Sequence, residues 1–282
     1  MSNRNSQANK QAARERLRAE RERQAKKDRT RRQLIVGGAV VAVLAVAGGI
    51  GLAVANSGGD SSSGGSGADV WAKAAKAKPV PPAHTSGPNG TTITVGKSDA
   101  KNTLELFEDP RCPGCSVFEQ TVGATIEKDI NDGKYKATYH IGTFLDNNLQ
   151  GTGSKNALSA LGAALNVSPD AFLKYKFALY SKQYHPDETG PDKFADDSYL
   201  LKVADTIPAL KGNAAFEKAV KDGTYDAWAM AMSKEFNNHS DVRSTPTVKM
   251  NGTVLGTQSP QGPVAPSSVA DFNAQVEKNL KK

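Results

Sequence analysis

Residues 103–118 read TLELFEDPRCPGCSVF. The stretch opens with apolar side chains in partial alternation at 103–107, the pattern of a strand. From Pro113 to about Asp129 it continues in a helical pattern. Cys112 and Cys115 stand at the junction, and helix-end physics gives each a role. With Cys112 at the N-cap, Pro113 falls at the first helical position, where its missing N–H does no harm and its fixed φ starts the helix. Cys115 then falls one turn on, close enough to close or open a disulfide with little backbone movement. A free thiol has a pKa near ~8.5, and the unpaired N–H groups of a first helical turn stabilise its anion. Arg111 adds a neighbouring positive charge. Cys112, the first and more exposed cysteine, is therefore the expected nucleophile, and Cys115 the resolving thiol.

Other readings of the pair are weaker. A structural disulfide across two residues closes a very small loop and removes little entropy from the unfolded chain. Zinc needs more ligands. The chain has only two cysteines, and His84, His140, His185 and His239 are scattered singly without ligand spacing. No metal is expected, and these histidines read as ordinary surface or core residues. The absence of a spare thiol suits an exported redox domain.

Working outward, residues 91–95 (TTITV) and 135–141 (YKATYHI) read as strands, the second after an Asn131-Asp132-Gly133 stop. Glu108 and Asp109 read as solvated loop residues. A long helical region follows. Ala157, Leu158, Leu161 and Leu165 share a face, as do Leu200, Val203, Ala204 and Ile207, and then Trp228, Met232 and Phe236. Such stripes are ordinary core. Residues 246–250 (PTVKM), Asn251-Gly252 and 253–255 form an expected hairpin with a type I′ turn. A last helix begins near Ser268, capped by Ser268-x-x-Asp271, with Val269, Phe272, Val276 and Leu280 on one face. There is no internal repeat. Thr245-Pro246-Thr247 precedes the penultimate strands. An X-Pro bond is cis only ~5–6% of the time, so the motif gains weight only from the Cys-x-x-Cys upstream.

This order resembles the thioredoxin fold, and the helical block at about 147–240 resembles the inserted helical domain of the DsbA-like family. The likeness rests on Leu104-Glu105-Leu106-Phe107 leading to Cys-Pro-Gly-Cys, on Phe118, and on Ser244-Thr245-Pro246-Thr247-Val248 followed by Asn251-Gly252. It covers roughly residues 91–282. It implies an α/β domain whose only redox group is a Cys112–Cys115 disulfide, with no added cofactor. It implies a cis Pro246 facing the cysteines, and a Thr245 backbone that binds a substrate segment as an added strand. It also implies a buried acid under the active site, for which Glu105 is the nearest candidate, although its spacing to Cys112 is one residue longer. Gly114 stands where DsbA proper has a histidine, which makes the oxidising power less certain.

The N-terminal part reads separately. Residues 34–55 (LIVGGAVVAVLAVAGGIGLAVA) carry no charge. As a helix they would span about 33 Å, enough for a ~30 Å hydrocarbon core. Residues 1–33 hold twelve Lys and Arg against four Asp and Glu, while the remainder holds 24 against 25, so the net charge of +7 belongs to the leader. A basic surface for nucleic acid along the folded part is thereby excluded. Arg29, Arg31 and Arg32 abut the apolar run, which puts the N-terminus in the cytoplasm and the rest outside. A buried core helix would lack these flanks. A signal peptide cleaved after Ala55 would have a shorter apolar region. A single-pass anchor in the cell membrane is the favoured reading. The Ala45-x-x-x-Gly49 and Ala47-x-x-x-Gly51 patterns carry little weight in so Ala/Gly-rich a segment. Residues 56–90 read as a flexible Gly/Ser then Pro-rich linker, with folding expected from about Thr91.

The expected function is an extracytoplasmic thiol–disulfide oxidoreductase that oxidises the cysteines of exported proteins and is regenerated by a membrane redox partner. The alternatives are a thiol reductase or isomerase, for instance in cytochrome or metal-site maturation, and a non-redox metal-binding or scaffold role.

Overall fold

The computed structural model describes residues 67–259 and 262–281. The expected leader at 1–33, the anchor at 34–55 and the linker up to residue 66 lie outside the described residues. Among the described residues no helix is long and apolar enough to cross a membrane.

The elements are α1 (Gly67–Ala74), β1 (Thr85–Ser86), β2 (Thr92–Val95), β3 (Thr103–Glu108), α2 (Pro113–Asp132) and β4 (Lys136–Ile141). Five helices follow, α3 (Leu145–Asn148), α4 (Gly153–Val167), α5 (Pro169–Leu179), α6 (Asp197–Ala204) and α7 (Ala214–Lys221), and then α8 (Asp226–Phe236). The chain ends with β5 (Thr247–Met250), β6 (Thr253–Val254), β7 (Thr257–Ser259), β8 (Gly262–Val264) and α9 (Val269–Asn279). The main sheet runs β1-β2-β4-β3-β5-β6. β3 is central and pairs parallel with β4, from Thr103↔Lys136 to Glu108↔Ile141, and antiparallel with β5, with Phe107 opposite Thr247. This register brings the end of β3, where the cysteines follow, beside the start of β5, where Pro246 precedes. The thioredoxin-like α/β architecture with an inserted helical block is therefore present.

Period-2 alternation sorts β3. Leu104 and Leu106 join Ala137 and Tyr139 in the apolar core under α2, whose Phe118, Val122 and Ile126 are also buried. α2 begins at its Cys112 cap and stops at Gly133, whose φ of 77° suits glycine. α4 is the hub of the insertion. Its Ala157, Leu158, Leu161 and Leu165 are fully buried, and Gly162 lets the Trp228 ring approach to where a Cβ would sit 2.7 Å away. The Trp228 indole N–H donates to the Gly90 carbonyl at 2.8 Å. Asn251 and Gly252 both have positive φ, 51° and 83°, as a type I′ turn requires.

Three expectations need correction. Folded structure begins before Thr91, because Trp71 and Ala74 bury one face of α1 against α8; the small-residue and proline content hid this anchor. Ile207 is buried but lies beyond the end of α6. Val269 is 39% exposed, so α9 buries only Phe272 and Val276 fully. The two-stranded β7–β8 sheet is built from residues that carry no strand signal in the sequence.

Candidate active site

Both cysteines are reduced thiols. Cys112 occupies the N-cap of α2 in extended geometry, with the Cys115 backbone N–H aimed at its Sγ from 3.4 Å. Cys112 is 7% exposed and Cys115 is fully buried. Around them lie Leu145 and Tyr180, with Phe144 and Leu149 partly buried alongside. The environment splits the two thiols. The Cys115 side chain bonding to Cys112 holds the Cys112 thiol below its ordinary range; burial opposes this and the Thr245 side chain adds to it. Burial pushes the Cys115 thiol well up, with contributions from Cys112 and Glu108.

The Thr245–Pro246 peptide is cis. The Cys112 thiol donates to the Thr245 carbonyl at 3.4 Å. A Cβ at Gly114 would stand 3.2 Å from Pro246 Cδ, tighter than most real contacts, and in ordinary contact with the Thr245 carbonyl at 3.5 Å. Glycine in the dipeptide therefore lets the proline loop close over the helix end. Pro113 begins the helix beside it.

The acids are placed differently from the expectation. Glu105 is not under the cysteines. It lies on the opposite face of β3, partly exposed, 3.8 Å from His140 Nε2. Glu108 and Asp109, expected as solvated loop residues, are both fully buried. The physical reason is twofold. β3 runs one residue further than the apolar pattern indicated, and the helical insertion roofs the segment after it. The alternation of Leu104 and Leu106 was the signal that could have placed Glu108 on the core face.

Glu108 pairs with Lys176 Nζ at 2.9 Å, and the same ammonium reaches Glu119 at 2.7 Å. Lys176 also lies over the Tyr180 ring, 5.0 Å from its centroid. Burial raises Glu108 from 4.5 to about 7 against the pull of Lys176, and its Oε1 has no hydrogen-bond partner among the described residues. Asp109 turns the other way. Its Oδ1 accepts from the Arg111 backbone N–H (3.0 Å) and the Ser154 hydroxyl (2.6 Å), and its Oδ2 from the Leu145 N–H (3.1 Å). Burial raises it to about 7, opposed chiefly by the Ser154 bond.

Arg111 does not face the sulfurs as a free charge. Its buried guanidinium is engaged by Asp146 at 3.2 Å and Asp192 at 3.3 Å, which bind the cysteine loop to the insertion. His185 Nε2 sits 3.1 Å from the Pro110 carbonyl and stacks on Tyr180. His140 and His239 pack against Phe107 on the far sheet face. Among the described residues no group of three or more His, Cys, Asp or Glu is placed to hold a metal ion.

A family model described as Thioredoxin matches residues 88–278. This chain belongs to the thioredoxin family. Within that family it is DsbA-like. The thioredoxin-family chain is 28% identical over 162 residues to Disulfide bond formation protein D of Bacillus subtilis, covering 57% of this chain and 68% of that one. Its fold matches the reduced form of the disulfide bond oxidoreductase DsbG from Mycobacterium tuberculosis with a TM-score of 0.55 and 25% identity, over 70% of this chain and 90% of that one. DsbA of Mycobacterium tuberculosis, in its oxidised form, matches with a TM-score of 0.54 at 24% identity, over 68% and 93% of the two chains, a likeness of fold.

Proposed function

We propose that this chain, a thiol–disulfide oxidoreductase, oxidises pairs of thiols in exported proteins, with Cys112 as the sulfur that substrates attack. The observation that carries the reading is the asymmetry of the two sulfurs. Cys112 caps a helix beside the Thr245 carbonyl, whereas Cys115 is fully buried behind it. A substrate thiolate attacks Cys112 Sγ of the Cys112–Cys115 disulfide, that S–S bond breaks, and Cys115 leaves and takes up a proton. A second substrate thiolate then attacks the substrate sulfur of the mixed disulfide and releases Cys112 as a thiolate. The substrate dithiol has become a disulfide, and the two electrons reside on the protein dithiol. A stabilised thiolate is the better leaving group, which favours release from Cys112.

Glu108 takes the place given to Glu105 as the acid that handles the Cys115 proton, since its burial and its influence on Cys115 fit that task. Thr245 offers its backbone to the extended substrate segment, and Pro246, Pro113 and Gly114 shape the contact. Residues 34–55 anchor the chain with the N-terminus in the cytoplasm and the cysteines outside, supported by the basic flank. A membrane redox partner reoxidises the pair.

The test uses the full-length chain in cells. The lone Cys112 thiolate of Cys115→Ala should attack disulfides of exported proteins, displace a thiolate and accumulate as mixed disulfides that no Cys115 thiolate resolves, and Cys112→Ser should form none. Equal trapping through Cys115 in the Cys112→Ser protein would reverse the roles. Protease added outside wall-permeabilised cells should reach the cysteine domain and spare the basic leader; protection of that domain would overturn the topology.

A further inference from the structure

Asp109 is the one buried carboxyl near the cysteine loop, among the described residues, that hydrogen-bonds both the loop and the insertion without pairing to a cation. Its carbonyl accepts the Cys112 N–H at 2.9 Å, so its backbone holds the nucleophile's position. Its carboxyl takes the Arg111 N–H from the loop itself, the Leu145 N–H at the start of α3, and the Ser154 hydroxyl of α4. The cations nearby are committed elsewhere. Arg111 is shared by Asp146 and Asp192, and Lys155 pairs with Asp146. The other titratable groups around it are Glu108 and the two thiols on its own segment, and, from the insertion, Tyr180 and His185, the latter reaching Pro110.

We propose that Asp109 is a positioning residue that tunes Cys112: neutral, it leaves the Cys112 thiolate favoured, and ionised, its uncompensated charge disfavours that thiolate and weakens the pair as an oxidant. The proposal rests on Cys112 being the reactive sulfur. The electrostatics of the buried segment run the same way. Burial lifts Asp109 to about 7, so both of its states are accessible near neutrality, and its charge is among the influences that raise Cys112. Ser154 is the lever, because its hydroxyl is the strongest of the bonds that favour the ionised carboxyl.

The rate of Cys112 alkylation by iodoacetamide, followed against pH on the reduced full-length chain, tests this. The wild type should show an inflection near neutrality on top of the thiol's own titration. Asp109→Asn should abolish that inflection and react several-fold faster above it, and its reduction potential there should be more oxidising. Ser154→Ala should move the inflection to higher pH. Glu105→Gln, on the opposite face of β3, should leave it in place. An Asp109→Asn profile that superimposes on the wild type, or a slower one, overturns the proposal. If that variant does not fold, an unmoved inflection in Ser154→Ala overturns it equally. A wild-type Cys112 that forms no thiolate anywhere near neutrality would instead defeat the assignment of the nucleophile, a separate failure.

Discussion

The Cys112 sulfur lies 3.4 Å from the carbonyl oxygen of Thr245, a residue 133 positions away in the chain. Antiparallel pairing of β3 with β5 creates that proximity, since Phe107 and Thr247 are register partners. Thr245 also contributes through its side chain, which lowers the Cys112 thiol. Thr245→Val keeps the shape and removes the hydroxyl. Cys112 should then titrate at higher pH and the pair should become less oxidising. Thiolate absorbance against pH on the reduced protein measures this, and a fall in the titration midpoint would contradict it.

Lys176 is a buried ammonium between two carboxylates, Glu108 and Glu119. Lys176→Met preserves most of the volume and strands both acids. Removing one partner of a buried ion pair costs about 3–5 kcal/mol. The loss should depend on pH with a definite sign. Glu108 is raised from 4.5 to about 7 in the folded protein, so its contribution to stability is full below 4.5 and lost as pH rises through about 7. Without Lys176 the folded value rises further. Urea unfolding should therefore show a larger penalty at pH 8 than at pH 5. An equal penalty at both would mean that Lys176 acts through packing alone.

Redox state and stability are linked. The reduced protein gains a favoured Cys112 thiolate at the α2 N-terminus, and the disulfide gains nothing comparable. The reduced form should resist denaturant better than the oxidised form at one pH without exchange. The margin should be smaller than in DsbA proper, because Gly114 supplies no imidazole. A clearly more stable oxidised form would point to a reductase.

Trp71 is 8% exposed and supplies most of the apolar anchor of α1. Trp71→Ala should cost about 3 kcal/mol in urea unfolding, near the lower end for a buried aromatic. A negligible loss would return residues 67–90 to the status of a linker.

Much of this was legible in the residues. The β3–α2 junction, the helical stripes of α4 and α8, and the Asn251-Gly252 hairpin follow from period, capping and turn chemistry, all local in sequence. The site was legible where it is local: Cys112, Pro113, Gly114 and Cys115 stand in one helical turn. The environment of the acids is not legible there, because burial is not local. Glu108 and Asp109 look like a polar loop until α3, α4 and α5 cover them, and the partners that make them tolerable, Lys176 and Ser154, lie 68 and 45 positions away in the chain. Arg111 is legible as a neighbouring charge, but not its direction, because Asp146 and Asp192 engage its guanidinium from the insertion.

The bond from Trp228 to the Gly90 carbonyl, together with the seat of α1 on α8, has a mechanical consequence. Tension arriving at residue 67 enters the molecule through α8 and the rim of the sheet. The N-terminal end of the described residues is therefore seated on the helical insertion, away from the end of β3 that carries the cysteines.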